Sequence, residues 1–97
     1  MVEIVRTKRF TVWIEALRDQ RGAAVIARRI SRLALGNFGD VKPVGEGVSE
    51  LRIDFGPGCR VYFAMRGQTI VVLLCGGDKS TQSNDIATAK AMAKEME

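Results

Sequence analysis

The N-terminal third of the chain carries apolar residues at helical spacing. The first set falls at positions i, i+3, i+4 and i+7, on one face of a predicted helix: Phe10, Trp13, Ile14 and Leu17. A second apolar stripe predicts another helix over residues 23–35: Ile26, Ile30, Leu33 and Ala34. Residues 19–22 are expected to end the first helix and separate it from the second, and Gly36 is expected to end the second helix. Residues 2–6 predict a short strand before the first helix.

The second half of the chain changes to an alternation of period two. It predicts three strands over residues 48–55, 59–65 and 68–75, separated by the turns at 56–58 and 66–67. Residues 36–47 hold four glycines and one proline and predict a long loop. Gly76 and Gly77 are expected to break the last strand. A final helix with a weak apolar face is expected from residues 80–83 to about residue 95.

The alternation also sorts the two faces of the predicted sheet. Six apolar side chains are expected to face the two N-terminal helices: Leu51, Ile53, Val61, Phe63, Ile70 and Val72. The opposite face then presents Arg52, Arg60 and Tyr62. Pairing of Asp54 with Arg60 would place Arg52 opposite Tyr62, and the same alternation places Cys59 on the core side.

Composition narrows the class of protein. With 97 residues, the chain is expected to be one domain over residues 1–97. The net charge is +4, and it is uneven: residues 1–35 carry +5 and residues 36–97 carry −1. A basic half favours a polyanionic or acidic partner, or is simply a solvated face. Because no signal peptide or membrane span is recognised, a cytoplasmic protein with no membrane partner is expected.

Metal and histidine chemistry are not expected. The chain has no histidine, and its two cysteines, Cys59 and Cys75, do not have the spacing of zinc ligands. Both are expected to be reduced, partly buried thiols. We therefore predict no metal and no cofactor.

Basic side chains and a tyrosine favour an anion site near the Gly76-Gly77-Asp78-Lys79 turn. Arginine binds phosphate oxygens in a bidentate manner, and the glycines lead to a helix N-terminus. Together with Lys79, the residues Arg52, Arg60 and Tyr62 could cleave RNA without a metal, by attack of a 2′-hydroxyl on the adjacent phosphorus. The alternative is that these arginines form ordinary cross-strand ion pairs with Glu50 and Asp54 on a wet sheet face.

Other polar residues could contact nucleic acid, or, as the family resemblance given below implies, the ribosome. We assign this role to five of them: Arg28, Arg29, Arg32, Lys42 and Gln82. The arginines of the second helix are equally well explained by an acidic protein partner or by solvation. Trp13, at helical spacing, favours a core position.

Several strings match a known family over nearly the whole chain. They are FxxWIxxLRD at residues 10–19, ARRISRLALGNFGDVKPVGEGVSELRIDFGPG at 27–58, RVYF at 60–63 and LLCGGDKSTQSNDIATA at 73–89. With them the chain resembles the RelE/ParE superfamily of bacterial type II toxins, and within it the HigB-like, phage-derived addiction module killer group. One departure is Cys59, where that group usually has an aromatic residue.

The resemblance implies a fold and a function. The fold is a compact α/β (α+β) domain, with two N-terminal helices on a twisted, mainly antiparallel four-stranded sheet and a C-terminal helix. The function is ribosome-dependent mRNA cleavage that inhibits translation. A cognate helix-turn-helix antitoxin, encoded by the adjacent gene, neutralises the toxin, and operator DNA is contacted only through that antitoxin.

The resemblance also implies roles for residues of this chain. Arg60 is assigned as phosphate clamp, Lys79 as proton shuttle, Arg52 as electrostatic support and Tyr62 as the group that stacks on or orients a base. Two other functions stay open. One is a ParE-like inhibitor of DNA gyrase, and the other is a non-catalytic module that binds antitoxin as a co-repressor.

Overall fold

The computed structural model describes residues 1–96, which form a mixed five-stranded sheet with helices on both faces. The elements in chain order are β1 (Glu3–Arg6), α1 (Lys8–Glu15), α2 (Gln20–Ala34), β2 (Val41–Gly45), β3 (Val48–Ile53), β4 (Cys59–Arg66), β5 (Ile70–Asp78), a 3₁₀ turn (Lys79–Thr81) and α3 (Gln82–Glu95). The strand order is β1-β5-β4-β3-β2, with only β1 and β5 parallel. The predicted α+β fold is confirmed. The sheet has a fifth strand because part of the predicted loop, β2, pairs with β3.

Helices cover both faces of the sheet, which creates two apolar cores. Helices α1 and α2 pack on the first face through Phe10, Ile26 and Leu33, all fully buried. Helix α3 covers the second face, where Ala89 is fully buried. No helix within residues 1–96 combines the length and apolar character needed to cross a membrane.

The prediction of facing side chains is right for β3 and β4 and wrong for β5. Leu51, Ile53, Val61 and Phe63 face α1 and α2 as expected, and so does Cys59. Ile70 and Val72, however, pack on the α3 side, and Val71 and Leu73 take their place. The antiparallel pairing of Phe63 with Leu73 requires this, and a bulge then shifts the register so that Tyr62 pairs with Cys75.

The two N-terminal helices begin and end at capping residues. Asp19, expected to interrupt the helices, is the N-cap of α2 and accepts a hydrogen bond from the Arg21 N–H at 3.0 Å. At the other end Gly36 has φ +87° and its N–H donates to Leu33 O, while Asn37 N–H donates to Arg32 O. This is the predicted glycine end, in the form of a Schellman motif.

The glycine pair after Cys75 does not break the last strand. Gly76 pairs with Val61 and Gly77 with Arg60, so β5 continues to Asp78. A Cβ atom on Gly76 would overlap the Trp13 ring, and one on Gly77 would overlap the Asp85 carboxylate. The glycines are therefore explained by close packing of side chains on an extended strand, and the predicted break at this point is wrong.

Candidate functional site

Three basic side chains line one cleft at the end of the sheet. Arg52 on β3 pairs with Arg60 on β4. Asp78, the last residue of β5, pairs with Cys59, and the next residue, Lys79, therefore lies at the same end of the sheet. The cleft has a volume of about 360 Å³ and is also lined by Asp40 and Asp54. We call it the cationic cleft. The observed register of β3 against β4 differs by two residues from the predicted one, in which Asp54 was opposite Arg60. Because side chains alternate along a strand, a shift of two residues leaves each side chain on its expected face.

Arg52 forms a surface ion pair at the mouth of the cleft. Its Nη2 and Nε lie 3.0 and 3.2 Å from Asp40 Oδ1, and both side chains are about half exposed. The Arg52 N–H also donates to Asp40 O at 2.9 Å. An exposed pair of this kind contributes little to stability, so the guanidinium is free to exchange Asp40 for another anion.

Arg60 is held much more tightly. Its side chain is only 13% exposed, and its Nε lies 3.7 Å from Oε1 of Glu50, which is 1% exposed. Its Nη1 donates to Cys59 O at 3.3 Å, whereas Nε is buried without a hydrogen-bond partner among the described residues. Arg60 therefore reaches the cleft from a buried ion pair.

Glu50 is the centre of a buried polar network that the sequence interpretation missed. Its Oε2 accepts hydrogen bonds from Tyr62 Oη at 3.0 Å and from Gln82 Nε2 at 2.8 Å. Because Gln82 begins α3, the network ties that helix to the sheet beneath the cleft. The alternation shared with Arg52 indicates only the face on which Glu50 lies, and its pairing with Tyr62 comes from the observed register.

Tyr62 does not lie on an open face. Its side chain is fully buried beneath α3. Burial, followed by the hydrogen bond to Glu50, raises the pKa of the phenol well above its usual value. The expected position of the ring, open for stacking on a base, is wrong, because α3 covers this part of the sheet. Tyr62 instead orients Glu50, which in turn faces Arg60.

Lys79 is exposed and lies beside a capped turn. Asp78 accepts hydrogen bonds from the Ser80 N–H at 2.8 Å and from Ser80 Oγ at 2.5 Å. These bonds hold the pKa of the Asp78 carboxyl below its usual value. Asp78 is thus structural, and it fixes the direction in which the backbone leaves β5 and presents Lys79 to the cleft.

The five residues assigned to RNA or ribosome contact fall into two groups. Arg28 and Arg32 are exposed on α2, and Lys42 is exposed on β2. None of the three lines the cationic cleft.

Arg29 and Gln82 have structural partners. Arg29 Nη1 donates to Arg52 O at 2.6 Å and its Nη2 to Phe38 O at 3.3 Å, which joins α2 to β3 and to the loop before β2. Gln82 donates to Glu50, as described above. Within residues 1–96, no group of three or more His, Cys, Asp or Glu side chains is arranged to hold a metal ion.

Comparison with known proteins places the chain in a family. Residues 12–97 match the family described as "Phage derived protein Gp49-like (DUF891)". A protein of Haemophilus influenzae, described as an uncharacterized protein, is 50% identical over 95 residues, which cover 98% of this chain and 96% of the relative. The chain therefore belongs to the phage-derived Gp49-like protein family.

Proposed function

We propose that this protein is the toxin of a bacterial type II toxin–antitoxin system and acts as a ribosome-dependent mRNA endonuclease. The observation that carries the proposal is the cationic cleft, in which Arg52, Arg60 and Lys79 come together from three separate segments. Three cations around one cleft suit the scissile phosphate of an RNA, whose charge increases as the reaction proceeds. Membership of a phage-derived family and the resemblance to RelE/ParE, HigB-like toxins support the same function.

The chemistry needs no metal ion. The 2′-hydroxyl of the substrate forms a bond to the adjacent phosphorus, and the bond from phosphorus to the 5′-oxygen breaks. Arg60 and Arg52 stabilise the negative charge on the phosphate oxygens, and Lys79 protonates the departing 5′-oxygen. Asp54, exposed at the same cleft, accepts the proton of the 2′-hydroxyl. Tyr62 contributes from below, by orienting the carboxylate that holds Arg60.

The proposed partners follow from the same function. The ribosome presents the message, and the exposed residues Arg28, Arg32 and Lys42 provide positive charge for contacts with RNA. A helix-turn-helix antitoxin, encoded by the adjacent gene, neutralises the toxin. The toxin contacts operator DNA only through this antitoxin. A cytoplasmic location is part of the proposal, because message and ribosome are there.

The test is growth after expression without antitoxin. Truncation of Arg60 would leave Glu50 buried without its cation, so Arg52→Ala/Lys79→Ala is the better variant, since both side chains are exposed or half-exposed. We expect it to remove growth arrest while the thermal transition stays within a few degrees of the original. The control Arg66→Ala/Lys94→Ala removes the same charge outside the cleft and should remain toxic. Full toxicity of the first variant would contradict the proposal.

The experiment also separates the other two functions. Growth arrest with breaks in DNA and intact messages would indicate a gyrase inhibitor of the ParE kind. Normal growth with the unaltered chain would indicate a non-catalytic module that only binds antitoxin.

A further inference from the structure

A second cavity lies next to the cationic cleft and differs from it in character. It has a volume of about 500 Å³ and is lined by apolar and aromatic side chains, chiefly Trp13, Leu17 and Phe55. We call it the aromatic cavity. Its size is within the range that holds a small organic ligand. None of the residues assigned to the phosphate chemistry lines this cavity.

The two sites share a wall. Gly56 and Pro57, in the turn between β3 and β4, line both the aromatic cavity and the cationic cleft. The turn is closed by a hydrogen bond from Gly58 N–H to Phe55 O at 3.0 Å. Asp78 lines the cavity and the next residue, Lys79, lines the cleft. The two sites therefore adjoin, as a ligand with a phosphate at one end and an apolar planar group at the other would require.

The charged side chains that line the aromatic cavity are all hydrogen-bond acceptors. Three carboxylates line it, those of Asp19, Asp78 and Asp85, and no lysine or arginine of residues 1–96 does so. Asp19 and Asp78 serve as caps, as described above. Asp85 accepts from Thr81 Oγ1 at 2.5 Å through Oδ2, and this leaves Oδ1 as an acceptor. The cavity thus combines an aromatic wall with acceptors that suit a ligand carrying N–H donors.

We propose that the aromatic cavity binds the base next to the scissile phosphate and prefers guanine. The proposal rests on the function proposed above and adds a specificity site to it. Single-stranded bases stack on aromatic side chains and are distinguished at their Watson–Crick edges. Guanine offers two adjacent donors, N1–H and N2–H. A carboxylate oxygen can accept more than one hydrogen bond, so Asp85 can accept both while its Oδ2 keeps the bond from Thr81. Adenine and cytosine offer one amino group, and uracil places carbonyl oxygens on both sides of its single N–H, which the carboxylates repel.

The test uses the only tryptophan of the chain, Trp13, as a reporter inside the cavity. The whole protein is titrated with the four ribonucleoside 3′-monophosphates, and Trp13 fluorescence is corrected for absorption by the base. We expect a saturable change, with the lowest Kd for guanosine 3′-monophosphate and the highest for the uridine nucleotide. Asp85→Asn should raise the guanosine Kd by about tenfold, as expected for loss of a charge-assisted hydrogen bond.

Two further variants make the test specific. Glu15→Gln removes an exposed carboxylate from the same helix as Trp13 and should leave every Kd unchanged. Phe55→Leu shortens the aromatic wall and should weaken all four nucleotides alike. If Asp85→Asn does not keep the thermal transition of the parent, the Phe55→Leu titration and the order of the four nucleotides in the unaltered protein still decide the question.

The outcomes that overturn the inference are distinct from those that overturn the nuclease. Absence of a saturable change, or uridine nucleotide bound as tightly as guanosine, contradicts the base site. Saturation by free indole, followed by calorimetry because indole itself fluoresces, but by no nucleotide also contradicts it, and indicates an aromatic side chain of a protein partner instead. Because the titration needs neither ribosome nor cleavage, intact messages in cells would refute the nuclease, whereas binding of a nucleotide base in the aromatic cavity would still be measured by itself.

Discussion

Replacement of Glu50 by alanine removes the acceptor at the centre of the buried network. Tyr62 Oη and Gln82 Nε2 lose their hydrogen bonds of 3.0 and 2.8 Å, and Arg60 loses the carboxylate 3.7 Å from its Nε. Because Glu50 is 1% exposed, these groups have little access to water in the parent protein.

The cost follows from the number of groups left without a partner. Breaking a buried ion pair costs about 3–5 kcal/mol, and each stranded donor adds about 1–3 kcal/mol where water cannot replace its partner. Because truncation to alanine leaves a cavity in which water can bond both donors, the ion pair dominates, and we expect a loss of about 4 kcal/mol. A domain of this size has a free energy of unfolding of about 5–15 kcal/mol, so the thermal midpoint should fall by about 15–30 °C.

The assay is thermal and urea unfolding, with two comparison variants. Asp40→Ala also removes a carboxylate paired with an arginine, but an exposed one, and should cost less than about 1 kcal/mol. Glu50→Gln keeps an acceptor for Tyr62 and Gln82 but loses the charge facing Arg60, and should cost about 2 kcal/mol. If Glu50→Ala is no more costly than Asp40→Ala, the buried network does not support the fold as described.

Two further predictions concern the second face of the sheet and the glycine pair. Burial, with a smaller contribution from Asp85, raises the pKa of the Cys75 thiol to about 11, against 9.0 for its ordinary value. In the unfolded chain the Cys75 thiol therefore loses its proton at lower pH than in the folded protein. Its contribution to the free energy of unfolding is complete below about pH 9 and disappears between pH 9 and 11. Cys75→Ala should make the free energy of unfolding, measured with urea, fall less steeply over that range, and an unchanged slope would contradict the assignment. Gly76→Ala places a Cβ atom in the Trp13 ring, so we expect a loss of about 1–3 kcal/mol and a red shift of Trp13 emission, whereas an unchanged melt and spectrum would show that the strand has room.

The helices and most strands are predictable from the sequence because their signals are local. The apolar stripe of α2 and the alternation of β3 and β4 can be recognised without knowledge of the rest of the fold. Strand β2 could not be predicted in this way. Its residues include Pro43 and Gly45, which favour a loop, and it is extended because its backbone pairs with β3.

The candidate site, too, is predictable only where the signal is local. The alternation of β3 and β4 places Arg52 and Arg60 on one face, and the chain after β5 brings Lys79 to it; their chemical roles stay predictions. The burial of Tyr62 and Glu50 could not be predicted, because it depends on where α3 packs. That helix is rich in alanine, and its weak apolar face does not indicate that it packs on the second face of the sheet.

We propose that this protein cuts messages through the cationic cleft. The decisive experiment is primer extension on a translated message, after expression of the unaltered chain or of Arg52→Ala/Lys79→Ala. We expect new 5′ ends inside the translated region with the unaltered chain, and none with the variant at equal protein level and equal thermal stability. Intact messages during growth arrest, or the same cuts with the variant, would contradict the account.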